Sequence, residues 1–376
     1  MRIGLLGVPS NSAGTADGVA RAPAVLRAAG LVEALGERAE IRDFGDVSLP
    51  GPSRTRDPAT HLIDPTGFAA LVTAVRDAAS SILGQGMFPL VIGGDCPLLL
   101  GCLAAATRDA RVGLLFVDGH EDAYRPEQSL TGEAADTELA FALGLADASW
   151  SSELAPILPL LSTHDVRLLG ARDAKSLASE GVASLADRAP VVDDGGVAAD
   201  PVGSTAAATA GLEDPWWFHL DLDVLSTEAL SSVDYPQPGG IGWDDLGRVA
   251  ATALGAAPAG WNITIYNPDL DPDRTDARRI VAFIASSVAP LGAVAYAAPV
   301  AQPPSRWKMK YQASRCEMGA GRSYAGISST MSISTGFLAP TISHARRISH
   351  EVRPPTSGPS VPGRKAASTT SESHDT

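Results

Sequence analysis

Asp118, His120 and Asp122 follow one another at two-residue intervals at the end of the apolar run GLLFV, in GLLFVDGHED. In a strand, residues i, i+2 and i+4 share a face. If the strand geometry persists, the three side chains converge at the carboxyl end, where open α/β sheets place their sites. A second run, WFHLDLDVL, ends on Asp221 and Asp223 with the same spacing, and VIGGDCP delivers Asp95 and Cys96 behind two glycines. A single aspartate at a strand end is most simply a helix N-cap or turn former, the reading for Asp95. Four carboxylates and an imidazole gathered at one sheet edge are a different matter, because they repel one another unless cations neutralise them. Carboxylate-rich donors with one imidazole suit a hard or borderline divalent ion such as Mn²⁺. Two ions about 3.5–4 Å apart, sharing bridging carboxylates, would lower the pKa of a bridging water toward neutrality.

The elements that must position these residues are short apolar runs at 2–8, 40–45, 89–94, 113–118, 166–171, 217–224, 262–267 and 292–297. Ala/Leu-rich stretches of helical length lie between them, at 20–35, 67–84, 97–108, 242–255 and 274–287. Runs without polar alternation, separated by helices, indicate a parallel sheet covered on both faces. Strand number alone leaves a closed barrel and an open doubly wound sheet both possible. At 376 residues and 45% hydrophobic content, the chain can bury a sizeable core. Its formal charge of −14 is uneven, with residues 301–376 carrying ten Lys/Arg against four Asp/Glu. An acidic body argues against nucleic acid as a partner, since phosphate contacts need clustered Lys/Arg. Three cysteines without a CxxC motif fit a reducing compartment. The opening MRIGLLGVPS is too short for a signal peptide, and no apolar run is long enough to span a membrane, so a cytoplasmic protein is expected. From residue 300 to 376 the chain is rich in Ser, Pro and Gly without apolar periodicity, and is expected to form a disordered tail after a domain of residues 1–299.

These pieces together resemble the ureohydrolase (arginase/agmatinase) family, over roughly residues 1–298. GVPSNSAGTADGVARAPAVLRAAGL resembles its N-terminal segment and VDGHED its Asp-x-His-x-Asp motif. GGDC stands where the family usually has Gly-Gly-Asp-His, FHLDLDVL resembles its Asp-x-Asp strand, PGGIGWDDL the following Gly-Gly, and YNPDLDP the late Asn-Pro turn. The resemblance implies a three-layer αβα fold with a mostly parallel eight-stranded sheet, a small-molecule substrate and a homo-oligomer. It further implies two divalent metal ions bridged by Asp118 and Asp221. Asp122, with whatever Cys96 contributes, would complete one site, and His120 with Asp223 the other. Hydroxide would then attack the sp² carbon of a guanidine, amidine, formimino or related C–N group and expel an amine.

Several positions depart from the family pattern. Cys96 replaces a histidine ligand; as a thiolate it would favour Zn²⁺ over Mn²⁺, and as a thiol it is a small buried residue. Ala135 falls where arginases place a histidine proton shuttle. Glu133 or Asp136 could stand in, with Asp122 and Glu133 the candidate catalytic groups. Asp136 also fits a helix N-cap, with Glu133 and Glu138 as solvated neighbours. Ile265 or Tyr266 occupies the place of the guanidinium-clamping glutamate, which removes the bidentate ion pair selecting guanidinium. Lys175 sits near a substrate-holding acid, where a cation would favour an anionic substrate group, and Tyr235 near a substrate-lining threonine. L-arginine is therefore not the expected substrate. A catalytically inactive metal-binding member of the same fold is the alternative from another class. A mononuclear zinc hydrolase would need fewer carboxylates, and GLLGVPSNSAG lacks the dinucleotide-binding GxGxxG spacing.

Overall fold

In the computed structural model, seven of the eight apolar runs are strands: β1 (Arg2–Val8), β2 (Glu40–Asp46), β3 (Phe88–Gly93), β4 (Gly113–Val117), β5 (Val166–Gly170), β7 (Trp216–Asp221) and β8 (Gly260–Thr264). The eighth strand, β6 (Val191–Asp193), was not among the expected ones; three residues on a sheet edge carry no periodicity that a sequence could display. The structure describes residues 1–292, so the expected strand over 292–297 and the expected tail over 300–376 lie outside the described residues, Gly292 apart.

The strand order is β2-β1-β3-β8-β7-β4-β5-β6, and every pairing is parallel. The sheet is open, which removes the barrel alternative. Residues of β3, β4, β7 and β8 are all buried, as apolar runs covered on both faces require. Ten α-helices accompany the strands among the described residues: α1 (Ala22–Ala28), α2 (Leu31–Gly36), α3 (Pro65–Gly84), α4 (Leu98–Ala106), α5 (Glu138–Ala142), α6 (Ala174–Glu180), α7 (Asp194–Ala199), α8 (Pro201–Ala210), α9 (Trp243–Gly255) and α10 (Thr275–Ser287).

Alternate strand residues divide between two cores. Leu115 and Val117 of β4 pack with Phe218, Leu220, Trp261 and the apolar sides of α1, α2, α9 and α10. Leu114 and Phe116 pack with Trp217 and with α3, α4 and α5. Each fully buried Leu, Val or Phe contributes about 1.5–3 kcal/mol of transfer free energy, which fixes the strand register against slippage. Phe218 stacks on Trp261 at 5.5 Å between ring centroids, tying β7 to β8. Helix α3 begins at Pro65, with the Asp64 side chain accepting from the Gly67 amide. Among the described residues no helix is long and apolar enough to cross a membrane.

The topology decides where a site can form. β3 and β4, consecutive in the chain, are separated in the sheet by β8 and β7. The carboxyl ends of these four strands therefore face one crevice, the position favoured for ligands in open α/β sheets.

Candidate metal centre and cavity

The acids do converge there, but not by continued strand geometry. β4 ends at Val117, and the Asp118 Oδ1 accepts a hydrogen bond from the His120 amide at 2.7 Å. β7 ends at Asp221, whose Oδ1 likewise accepts from the Asp223 amide at 2.7 Å. Each Asp-x-(His/Asp) unit thus folds as a turn closed by its own first carboxylate. Asp122 follows in the left-handed region at φ 43°. Asp223 Oδ1 is held by the Gly119 amide at 2.9 Å. A Cβ on Gly119 would stand 2.8 Å from that oxygen and 2.4 Å from Nη1 of Arg172, so a side chain there would displace one or both groups. One oxygen each of Asp118, Asp221 and Asp223 is thus held by a backbone amide.

His120 Nδ1 lies 2.8 Å from Asp223 Oδ2 and 3.7 Å from Asp118 Oδ1. Cys96 Sγ lies 2.7 Å from Asp221 Oδ2 and 3.3 Å from Thr264 Oγ1. Among the described residues, three groups have ligand-type atoms within 4.8 Å of one another: Asp118, His120 and Asp223; Cys96, Asp118, His219 and Asp221; and Cys96, Asp122 and Glu138. Asp95 is bound instead to the Ser12 and Cys96 amides; it closes a turn and is not a helix N-cap, since α4 starts after Pro97.

Two further groups were not among the expected ligands. His219 is 0% exposed, stacks on Phe116, and reaches Asp118 Oδ2 with Nε2 at 3.6 Å. Its Nδ1 is 2.7 Å from Asn262 Nδ2, while Asn262 Oδ1 accepts from Trp217 Nε1 at 2.8 Å. With the amide oxygen taken by tryptophan, Asn262 must donate to Nδ1, so the ring proton sits on Nε2 and faces Asp118. The two-residue spacing to Asp221 pointed to this face; the partner Asn262 had no signal. Glu138 was expected to be a solvated neighbour, yet it is 0% exposed at the start of α5. Asp136 likewise is not an N-cap: its Oδ2 accepts from Ser129 Oγ at 2.7 Å and Thr131 Oγ1 at 3.0 Å.

Protein charges alone leave this cluster frustrated. Burial, then the neighbouring carboxylates, push Asp122, Asp221 and Glu138 well above the usual carboxylate range. Burial and the Asp221 charge raise the Cys96 thiol. Asp118 also suffers burial, but the neighbouring His120 and His219 imidazoles bring it down to about 2. Asp118 Oδ2, both Glu138 oxygens and His219 Nε2 are buried without a hydrogen-bond partner. Converging carboxylates with orphaned oxygens fit divalent cations of hard or borderline character.

Above these groups opens a cavity of about 370 Å³ lined by Cys96, His120, Asp122, Asp221 and Asp223 and walled by Glu133, Asp136, Asp173, Glu180, Asp234 and Tyr235. Glu133 accepts from Tyr235 Oη at 2.8 Å, and burial raises its carboxyl to about 7 despite that bond. Tyr266 is not on this wall: it is buried in the core and donates to Asp271 at 2.7 Å. Ile265 lines the cavity in its place, with φ at 72°. Lys175 is exposed on α6 and is not among the lining residues.

The chain is similar to the arginase of Bacillus caldovelox, at 29% identity over 174 residues, 45% of this chain and 58% of that protein. The match to the arginase of Brevibacillus brevis is 26% over 293 residues, 75% of this chain and 96% of the relative. Among solved structures, the native arginase from Bacillus caldovelox superposes with a TM-score of 0.65 at 24% identity, covering 76% of this chain and 97% of that one. The Arginase family model matches residues 1–289, the stretch that carries every strand and acid described above, and the chain belongs to the arginase family.

Proposed function

We propose that this protein is a binuclear metal-dependent hydrolase of a linear C–N bond in a cationic guanidino, amidine, formimino or related small molecule other than L-arginine. The observation that carries the reading is the convergence of buried, incompletely satisfied carboxylates from β4 and β7 on the floor of an acid-walled cavity. Asp118, His120 and Asp223 would hold one ion, and Asp118, Asp122 and Asp221 the other. Mn²⁺ suits the oxygen donors, and Zn²⁺ becomes competitive only if Cys96 binds as thiolate. Bound divalent ions supply Lewis acidity and make hydroxide available near neutral pH.

The chain's own groups provide the rest. Glu133, with a carboxyl near pH 7 and its Oε1 oriented by Tyr235, holds a proton at neutrality for a departing amine. It takes the role left open by Ala135. Ile265 offers no oxygen to a guanidinium, which weakens selection for arginine. The lining includes no Lys or Arg, so the walls favour a cation and not the anionic group that Lys175 would have welcomed.

The test is a screen of guanidino, ureido, formimino and amide compounds with full-length protein loaded with Mn²⁺, Zn²⁺ or Co²⁺, following amine release. Metal-dependent turnover, lost together with metal in Asp118→Ala and Asp221→Ala, is the expected result. Metal-replete protein that turns over none of these classes leaves the inactive metal-binding alternative, and less than about one ion per chain removes the binuclear mechanism.

A further inference from the structure

Glu138 is a buried acid without an explanation in the fold. It opens the short helix α5, whose remaining residues Leu139–Ala142 are all apolar and buried in the core shared with α3 and α4. Its side chain is fully enclosed, and neither carboxylate oxygen meets a donor. Among the described residues no Lys or Arg forms an ion pair with it, although a buried carboxylate ordinarily survives only when paired or bound to metal. What it does approach is Cys96 and Asp122, with ligand-type atoms of all three within 4.8 Å.

Cys96 itself is engaged otherwise. Its Sγ is 2.7 Å from a carboxylate oxygen of Asp221, a contact in which the thiol donates. The position that resembles a family histidine ligand is thus filled by a group that serves as hydrogen-bond donor to a neighbouring acid.

We propose that Glu138 is a metal ligand, supplying to the cation at Asp118, Asp122 and Asp221 the donor that Cys96 does not. The assignment rests on the binuclear reading above and adds to it. It makes this half of the centre all-oxygen, which favours a hard ion such as Mn²⁺ over Zn²⁺. It also adds a carboxylate where the family pattern has a neutral imidazole, so the loaded centre is more negative and better suited to a cationic substrate.

The experiment measures metal content and Mn²⁺ affinity, by elemental analysis and titration calorimetry, on full-length wild type, Glu138→Gln, Glu138→Asp and Cys96→Ser. Thermal unfolding of each is followed with and without Mn²⁺. Wild type should hold about two ions and Glu138→Gln about one, because a ligand carboxylate is replaced by an isosteric amide while Asp118, His120 and Asp223 stay intact. The metal-free Glu138→Gln protein should melt higher than wild type, having lost an unpaired buried acid, yet gain less from Mn²⁺. Glu138→Asp should fold and bind the second ion more weakly, and Cys96→Ser should retain both. Glu138→Gln or Glu138→Asp binding both ions with wild-type affinity would overturn the assignment, as would loss of an ion in Cys96→Ser but not in Glu138→Gln. Wild type without bound metal would instead sink the binuclear reading, a separate outcome.

Discussion

Replacing His219 by Phe removes one ring proton from the interior while keeping the stack on Phe116 at 4.6 Å. Two polar groups lose their partner. Asn262 Nδ2 loses its acceptor at 2.7 Å, and an unmet buried donor costs about 1–3 kcal/mol. Asp118 Oδ2 loses the Nε2 proton at 3.6 Å, a contact beyond ordinary hydrogen-bond length, so its share lies at or below the low end of about 1.5–3 kcal/mol for charged partners. Together the loss is about 2–4 kcal/mol. At roughly 2–4 °C per kcal/mol for a chain of this size, Tm falls by roughly 5–15 °C. Because Asp118 Oδ1 remains held by the His120 amide, the carboxylate stays in place but its second oxygen is less well oriented. Mn²⁺ affinity should then fall by about 10–100-fold, the usual cost of losing a group that orients a ligand. Calorimetric titration and urea unfolding with and without Mn²⁺ measure both quantities. His219→Gln, which can accept from Asn262 and donate toward Asp118, should recover most of each. A folded His219→Phe protein that binds Mn²⁺ as tightly as wild type would refute the relay, and so would a Gln variant no better than Phe.

Glu133 must be protonated to act as an acid, so kcat should decline as pH rises through about 7, and Glu133→Gln should lose that limb and about 10²–10⁴ in rate. A limb that persists in Glu133→Gln assigns it to another group. The Tyr235 hydrogen bond lowers the Glu133 pKa, so Tyr235→Phe should shift the limb upward in a pH–rate profile. In chelator-treated protein, the raised carboxyls of Asp122, Asp221 and Glu138 bind protons more tightly folded than unfolded. Stability should therefore decline as pH rises from the unfolded carboxylate value near 4 through their higher folded values. Asp118, lowered to about 2, acts oppositely, its contribution present above about pH 4 and lost as pH falls toward 2. Urea midpoints of metal-free protein should be higher at pH 5 than at pH 8, and saturating Mn²⁺ should erase or reverse the difference. Equal midpoints without metal would contradict the burial of these acids.

The sequence displayed the acids because charge is conspicuous at the end of an apolar run, and the strands because an inner parallel strand tolerates no polar alternation. It could not display how the acids converge. Period-two spacing in DGHED and DLD suggested strand faces, whereas the structure uses turns closed by Asp118 and Asp221. Both arrangements bring i and i+2 together, so the same residues converge although the geometry differs from the one expected. Ile265 and Tyr266 were equally placed candidates; the left-handed backbone at Ile265 decides between them and leaves Tyr266 in the core. Glu138 read as solvated because the stretch around it is acidic, and only the packing of α5 against α3 and α4 encloses it. The role of His219 depends on Asn262 from the neighbouring strand, a contact that no local pattern carries.

Backbone strain bears on the choice between a working centre and an inherited shell. Asp122, Tyr235 and Ile265 all adopt positive φ and all line the cavity. Such conformations cost on the order of 1–3 kcal/mol each in a non-glycine residue, and a β-branched side chain such as Ile265 tolerates them least. Around the same cavity lie buried carboxylate oxygens without partners. A fold that used this region for packing alone would be more stable with amides or apolar side chains at Asp122 and Glu138 and with glycine at Ile265. Three of the nine positive-φ non-glycine residues among the described ones share this crevice with the unpaired charge, and bound cations with a positively charged substrate are the species whose binding would offset that charge.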